Sequence, residues 1–300
     1  MKHVLIPTDF SDNSWNAIVY AMALFKEEKC TFYLLNTYTP AIASSRFMAA
    51  SFDGGLYANL AHQFSENGLK STFSRIKKEH LNTNHKFITI SSFALLVDEI
   101  LDSISKYNID LVIAGTKGSS GVAEVFMGSN AVRIIKAVKE CPVLVIPQSF
   151  EYEKPKEIAF ATDFNRFYTI SELKPLLDMA KAFGATVRIV NVQYEIKPLT
   201  ELQLFNLSML RKYLGEVEHY VHTVSELNSV SKTLELFSTE LNIHLLAMLN
   251  YQHSFMERLT REPIVKRVAF HLQTPLLIIP ELSMASTLKS KNDHEITISN

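Results

Sequence analysis

Cysteine is almost missing from this chain: Cys30 and Cys141 are the only two in 300 residues. Neither stands in a CxxC pair or a Cys/His spacing, which excludes a disulfide-stapled scaffold or a zinc ribbon and leaves both as reduced core residues. Long apolar runs are missing too. Segments such as Val143–Ile146 and Leu276–Ile279 fall far short of the roughly 18 residues of a membrane helix. The start, Met1-Lys2-His3-Val4, leads into a strand-like segment without the apolar stretch of a secretory leader, so a cytoplasmic protein without a membrane partner is expected. An excess of one charge is absent: 30 Lys and Arg stand against 31 Asp and Glu, a formal net charge of -1. That removes any general attraction to DNA, RNA or an acidic membrane, and nucleic acid is not expected as a partner. No Gly-x-Ser-x-Gly elbow, HExxH or kinase signature occurs, so no motif for covalent or metal catalysis is present.

What is present is a folded chain's composition, 47% apolar and 20% charged, at a length that suits two domains. The chain repeats itself. Lys2-His3-Val4-Leu5-Ile6-Pro7-Thr8-Asp9-Phe10-Ser11 returns as Lys156-Glu157-Ile158-Ala159-Phe160-Ala161-Thr162-Asp163-Phe164-Asn165, and Cys141-Pro142-Val143-Leu144-Val145-Ile146-Pro147 returns as Thr274-Pro275-Leu276-Leu277-Ile278-Ile279-Pro280. The second copy is the shorter, mostly because the first carries Tyr38 to Gly55, a stretch without clean period that reads as a loop. Gln148 to Lys156 has linker composition. We expect domains at 1–150 and 151–282 and a polar tail at 283–300.

Within the first copy, apolar runs at Val4-Pro7, Thr31-Asn36, Phe87-Ser91, Leu111-Ala114 and Val143-Ile146 alternate with helical patterns such as Leu96/Ile100/Ile104 and Ala131/Ile134/Ile135/Val138. Continuous apolar strands joined by helices imply a parallel sheet covered on both faces. The expected fold class is therefore α/β: two tandem doubly wound parallel five-stranded sheets flanked by helices. In such sheets ligands bind beyond the carboxyl ends of the strands where strand order reverses, so the loops after Ile6, Leu35 and Ala114 are the ones to search.

Glycine is scarce, nine in all, yet Gly115, Gly118, Gly121 and Gly128 fall within 14 residues after the fourth strand. Glycines there let the backbone turn with positive φ and let a phosphate approach N–H groups without a Cβ in the way. The helix opened by Ser129 and Asn130 adds free amides and the positive end of its dipole, and Lys117 adds a cation. Neither the Walker A nor the Rossmann spacing is met. The full pattern, Gly115-x2-Gly118-x9-Gly128-Ser129 after a strand, resembles the ATP-binding signature of the universal stress protein family. The resemblance extends to Pro7-Thr8-Asp9-Phe10-Ser11, to Leu34-Leu35-Asn36-Thr37 and to Cys141-Pro142-Val143, and it covers both halves, so the chain looks like a tandem member.

That resemblance implies a nucleotide site in which Gly115, Lys117, Gly118, Gly128, Ser129 and Asn130 hold phosphates and ribose, and Pro7, Thr8, Asp9 and Thr37 surround adenine and ribose. Asn36 is a departure, since family members often carry His there. The implied ligand is ATP, or AMP or ADP, with Mg2+ as a companion of the phosphates. Asp9 reads equally as a ligand or as a residue that helps to cap the first helix, because Asp163 stands at the same place in a half without the glycines. The matching stretch there, Met248 to Pro263, has no glycine, with Arg261 and Glu262 where Gly128 and Ser129 stand, which implies one nucleotide per chain.

Three functions are open at this point: a nucleotide-binding regulatory protein, a slow ATPase or nucleotidyl-transfer enzyme, and a nucleotide-free scaffold for an unknown protein partner. The apolar fifth strands imply that the halves pack on one another as an intramolecular pseudo-dimer, with a further homodimer outside it. His219 and His222, three apart on an expected strand, point to opposite faces and do not form a metal site. Arg75-Ile76-Lys77-Lys78 reads as a solvated helix face.

Overall fold

The computed structural model of the protein describes residues 1–38, 54–80, 82–116, 129–250 and 273–281. The chain forms two compact units, the first of Met1–Lys154 together with His271–Pro275 and the second of Pro155–Phe270 and Leu276–Asn300. In the first unit β1 (Lys2–Pro7), β2 (Cys30–Thr37), β3 (His85–Ser92), β4 (Leu111–Gly115) and β5 (Val143–Ile146) alternate with α1 (Asp12–Leu24), α2 (Gly54–Glu79), α3 (Leu96–Tyr107) and α4 (Ser129–Ala137). The sheet is parallel and ordered β3-β2-β1-β4-β5. The chain therefore steps outward from β1 to β3, then returns to the other side of β1, and right-handed crossovers put α1 and α2 on one face and α3 and α4 on the other.

The inner strands are buried along their whole apolar length, as at Leu5, Ile6, Phe32, Leu34, Val112 and Ile113. Each such side chain contributes about 1.5–3 kcal/mol on leaving water, which is why these runs fold as central strands. β1 begins earlier than its hydropathy suggests, because the Lys2 amide donates to the Lys29 carbonyl at 3.0 Å and its ammonium pairs with Glu28 at 3.7 Å. The loop expected over Tyr38 to Gly55 also ends sooner, with Gly54 and Gly55 inside α2. Residues 39–53 of that loop lie outside the described residues.

The second unit repeats the plan with β6 (Glu157–Ala161), α5 (Ile170–Phe183), β7 (Thr186–Gln193), α6 (Glu201–Leu214), β8 (His219–Ser225), α7 (Val230–Glu240), β9 (Leu245–Asn250) and β10 (Leu276–Pro280), its parallel strands ordered β8-β7-β6-β9-β10. Cys30 and Cys141 are free and buried. His219 hydrogen-bonds through Nδ1 with the Val217 carbonyl, and His222 lies edge-on to the Phe237 ring. Among the described residues no helix is long and apolar enough to cross a membrane.

Candidate functional site

Strand order in the first unit reverses between β1 and β4, which pair in parallel, so Thr8 and Thr116 leave the sheet at the same end. The first of these two loops is built by Thr8-Asp9-Phe10-Ser11. Phe10 takes a left-handed backbone, φ 65°, which costs a non-glycine residue about 1–2 kcal/mol. Local bonds offset the strain: the Phe10 amide donates to Thr8 Oγ1 at 3.1 Å, and Asp9 Oδ1 accepts from the Ser11 amide at 3.1 Å and its hydroxyl at 2.6 Å. Ser11 then caps α1 by accepting from the Ser14 amide, and Asp12 places a negative charge in the first turn.

Asp9 is thus not the cap but the residue that fixes the cap. The second unit builds the same turn: Phe164 has φ 59°, its amide donates to Thr162 Oγ1 at 3.2 Å, and Asp163 Oδ1 accepts from the Asn165 amide at 3.0 Å. The helix cap there moves on to Thr169, whose capping box with Glu172 opens α5.

Beneath each turn lies an asparagine. Buried Asn36 donates from Nδ2 to the Thr8 carbonyl at 2.7 Å, and Asn191 donates to the Thr162 carbonyl at 3.0 Å. Register equates them, since Pro7 pairs with Leu35 and Ala161 with Val190. The departure noted at Asn36 is therefore a turn clamp. Asparagines at the ends of both second strands were the sequence signal for it.

The second loop begins at Gly115, the last residue of β4. A Cβ there would stand 2.6 Å from Asn13 Nδ2 and 2.9 Å from its Cγ, so a larger residue would have to displace the buried Asn13 side chain, and glycine lets the end of β4 lie against the first turn of α1. Thr116 follows, buried, and α4 opens at Ser129 with Asn130 exposed. Pro7 and Thr37 end β1 and β2 at this same edge of the sheet. The structure therefore brings Pro7, Thr8, Asp9, Thr37 and Gly115 to one end of the sheet and starts a helix at Ser129. Lys117, Gly118 and Gly128 lie outside the described residues.

The second unit differs at the equivalent point. Gly115 pairs with Ile146 and Leu249 pairs with Ile279, so buried Leu249 is the counterpart of Gly115. Residues 251–272, including Arg261, Glu262 and Pro263, lie outside the described residues, as does the tail from 282.

Residues 1–147 match the family model described as the universal stress protein family. The chain is 30% identical over 156 residues to universal stress protein MJ0531 of Methanocaldococcus jannaschii, covering 52% of this chain and 84% of that protein. The chain belongs to the universal stress protein family. This universal stress protein is also 24% identical over 149 residues to YxiE of Bacillus subtilis, spanning 97% of that relative. Its fold resembles the crystal structure of a universal stress protein from Archaeoglobus fulgidus, with a TM-score of 0.66 at 17% identity over 93% of this chain and 98% of that one.

Proposed function

We propose that the first unit of this universal stress protein binds one adenine nucleotide, ATP or its AMP and ADP relatives, as a regulatory ligand in the cytoplasm, and that the second unit is a pseudo-site. The observation that carries this reading is the meeting of glycine-ended β4 with the first turn of α1, which the Thr8–Ser11 turn opens, at the point where strand order reverses. The residues fit such a ligand. Amides of the glycine segment and the start of α4 at Ser129 offer donors and a positive dipole end to phosphate oxygens, with Lys117 as a cation and Asn130 beside them. Pro7, Thr8, Asp9 and Thr37 flank the adenine and ribose side. Asp9 Oδ1 is engaged with Ser11, so its role toward the ligand is to hold the turn in place. Bound nucleotide supplies charge and shape across the crevice, with Mg2+ as a companion of its phosphates, and its state sets which protein partner is recognised.

In the second unit Leu249 stands at the position where Gly115 lets the end of β4 approach the first turn of α1. The test is Ser129→Glu. An acid in the first turn of α4 suits the helix dipole but repels phosphate, so folding is spared while ATP affinity falls about tenfold or more. Unchanged affinity by calorimetry overturns the site.

A further inference from the structure

Beside the same turn, on the sheet face that carries α1 and α2, the first unit holds a cavity of about 250 Å3 that the nucleotide reading leaves unused. Its floor is Thr8, Ser14 and Ile18, all buried, and Phe10 and Trp15 wall it from the α1 side. The opposite wall is one stripe of α2: Phe64, Gly68, Ser71, Thr72 and Arg75, at helical spacing. Gly68 brings this wall close, because a Cβ there would stand 2.3 Å from the Phe10 ring.

Three features make this opening chemically specific. Phe64 leaves 69% of its surface exposed at the rim, edge-on to Phe10 with ring centroids 5.8 Å apart, so the mouth offers aromatic surface to a visitor. Arg75 lays its guanidinium 3.8 Å over the Trp15 ring and spends only Nε on Glu79, which leaves its two Nη groups without a partner among the described residues. Ser71, one turn before Arg75, is likewise free to bond, whereas the hydroxyls of Ser11, Ser14 and Thr72 are already engaged. A planar guanidinium beside a hydroxyl is a carboxylate-binding pair. Asp12 on the same lining adds one negative charge, which favours a monoanion over a dianion such as a phosphate ester.

We infer that this cavity is a second small-molecule site, adjoining the nucleotide crevice at Thr8, for a small organic monocarboxylate with an aromatic or branched apolar body. The body rests on Phe10, Phe64 and Ile18, and the carboxylate meets Arg75 and Ser71. Its volume lies just below the range of drug-sized pockets, which limits the ligand to about one ring and its carboxylate arm.

Trp15 is the only tryptophan in the chain and it lines this cavity, so tryptophan emission is read from the cavity wall. Phenylacetate is titrated into the full-length protein, with phenylacetamide as its neutral isostere. The inference expects a saturable change in Trp15 emission with phenylacetate and binding about tenfold weaker with phenylacetamide. Arg75→Gln should erase that preference, and Ser71→Phe should block both probes. Both positions are exposed on a helix, so the variants are expected to fold, and their melting curves verify it. No saturable change up to about 10 mM, equal binding of the two probes, or undiminished binding by Ser71→Phe would overturn the inference; 10 mM is the scale of the weakest specific ligands.

Discussion

Replacing Gly68 by alanine should change sign with the residue that faces it. The alanine Cβ would meet Phe10 Cε2, Cζ and Cδ2 at 2.3, 2.4 and 2.7 Å, distances at which the ring or α2 must move. Neither moves freely: Phe10 is held in a left-handed turn by Thr8, and α2 is anchored by buried Leu69 and Ile76. Overpacking of this kind costs about 1–3 kcal/mol. Alanine in mid-helix returns about 1 kcal/mol over glycine. Gly68→Ala alone should thus destabilise the first unit by about 1 kcal/mol. In a Phe10→Gly background, which keeps the left-handed turn and deletes the ring, the same change should stabilise by about 1 kcal/mol. Urea unfolding followed through Trp15 in α1 gives the four stabilities of the cycle. A coupling below about 0.5 kcal/mol, with Gly68→Ala of the same sign in both backgrounds, would refute the contact.

Three other outcomes follow from named contacts. Burial first, then Glu28, pushes the Cys30 thiol up to about 11, and burial first, then Glu140, pushes Cys141 to about 12. At pH 8 each thiolate is therefore about one part in a thousand or less, and a thiol reagent should label neither until the chain unfolds. Asn36→Ala and Asn191→Ala each remove a buried donor to a turn carbonyl and should cost about 1–3 kcal/mol, read by Trp15 emission for the first and circular dichroism for the second. Glu172 is 1% exposed, closes the capping box with Thr169 and pairs with Arg166, so Glu172→Ala should cost about 3 kcal/mol. A cost below about 1 kcal/mol in a calorimetric melt would show that the pair is not buried as described.

The alternation of apolar strands with helical periods made the two-unit α/β plan legible, because a strand buried on both faces has no polar residue to interrupt it. The close approach at Gly115 was legible for the same kind of reason: glycine after a strand is costly unless something must come close, and at Gly115 that something is Asn13. Less legible were contacts between side chains far apart in sequence. Arg75 reads as part of a solvated basic run, and its contact with Trp15 lies across the α1–α2 groove: the guanidinium stacks on the ring at 3.8 Å while the side chain stays partly exposed. Asp9 could be read as ligand or cap with equal ease. Only the bonds to Ser11, repeated in outline by Asp163 and Asn165, place it as the support of the cap.

The central claim is one adenine nucleotide per chain, held by the first unit. Calorimetric titration of the full-length protein with ATP, repeated with AMP and ADP, measures it directly. The account predicts saturable binding of an adenine nucleotide at a stoichiometry near one; a value near two, or no binding of any of the three, would contradict it.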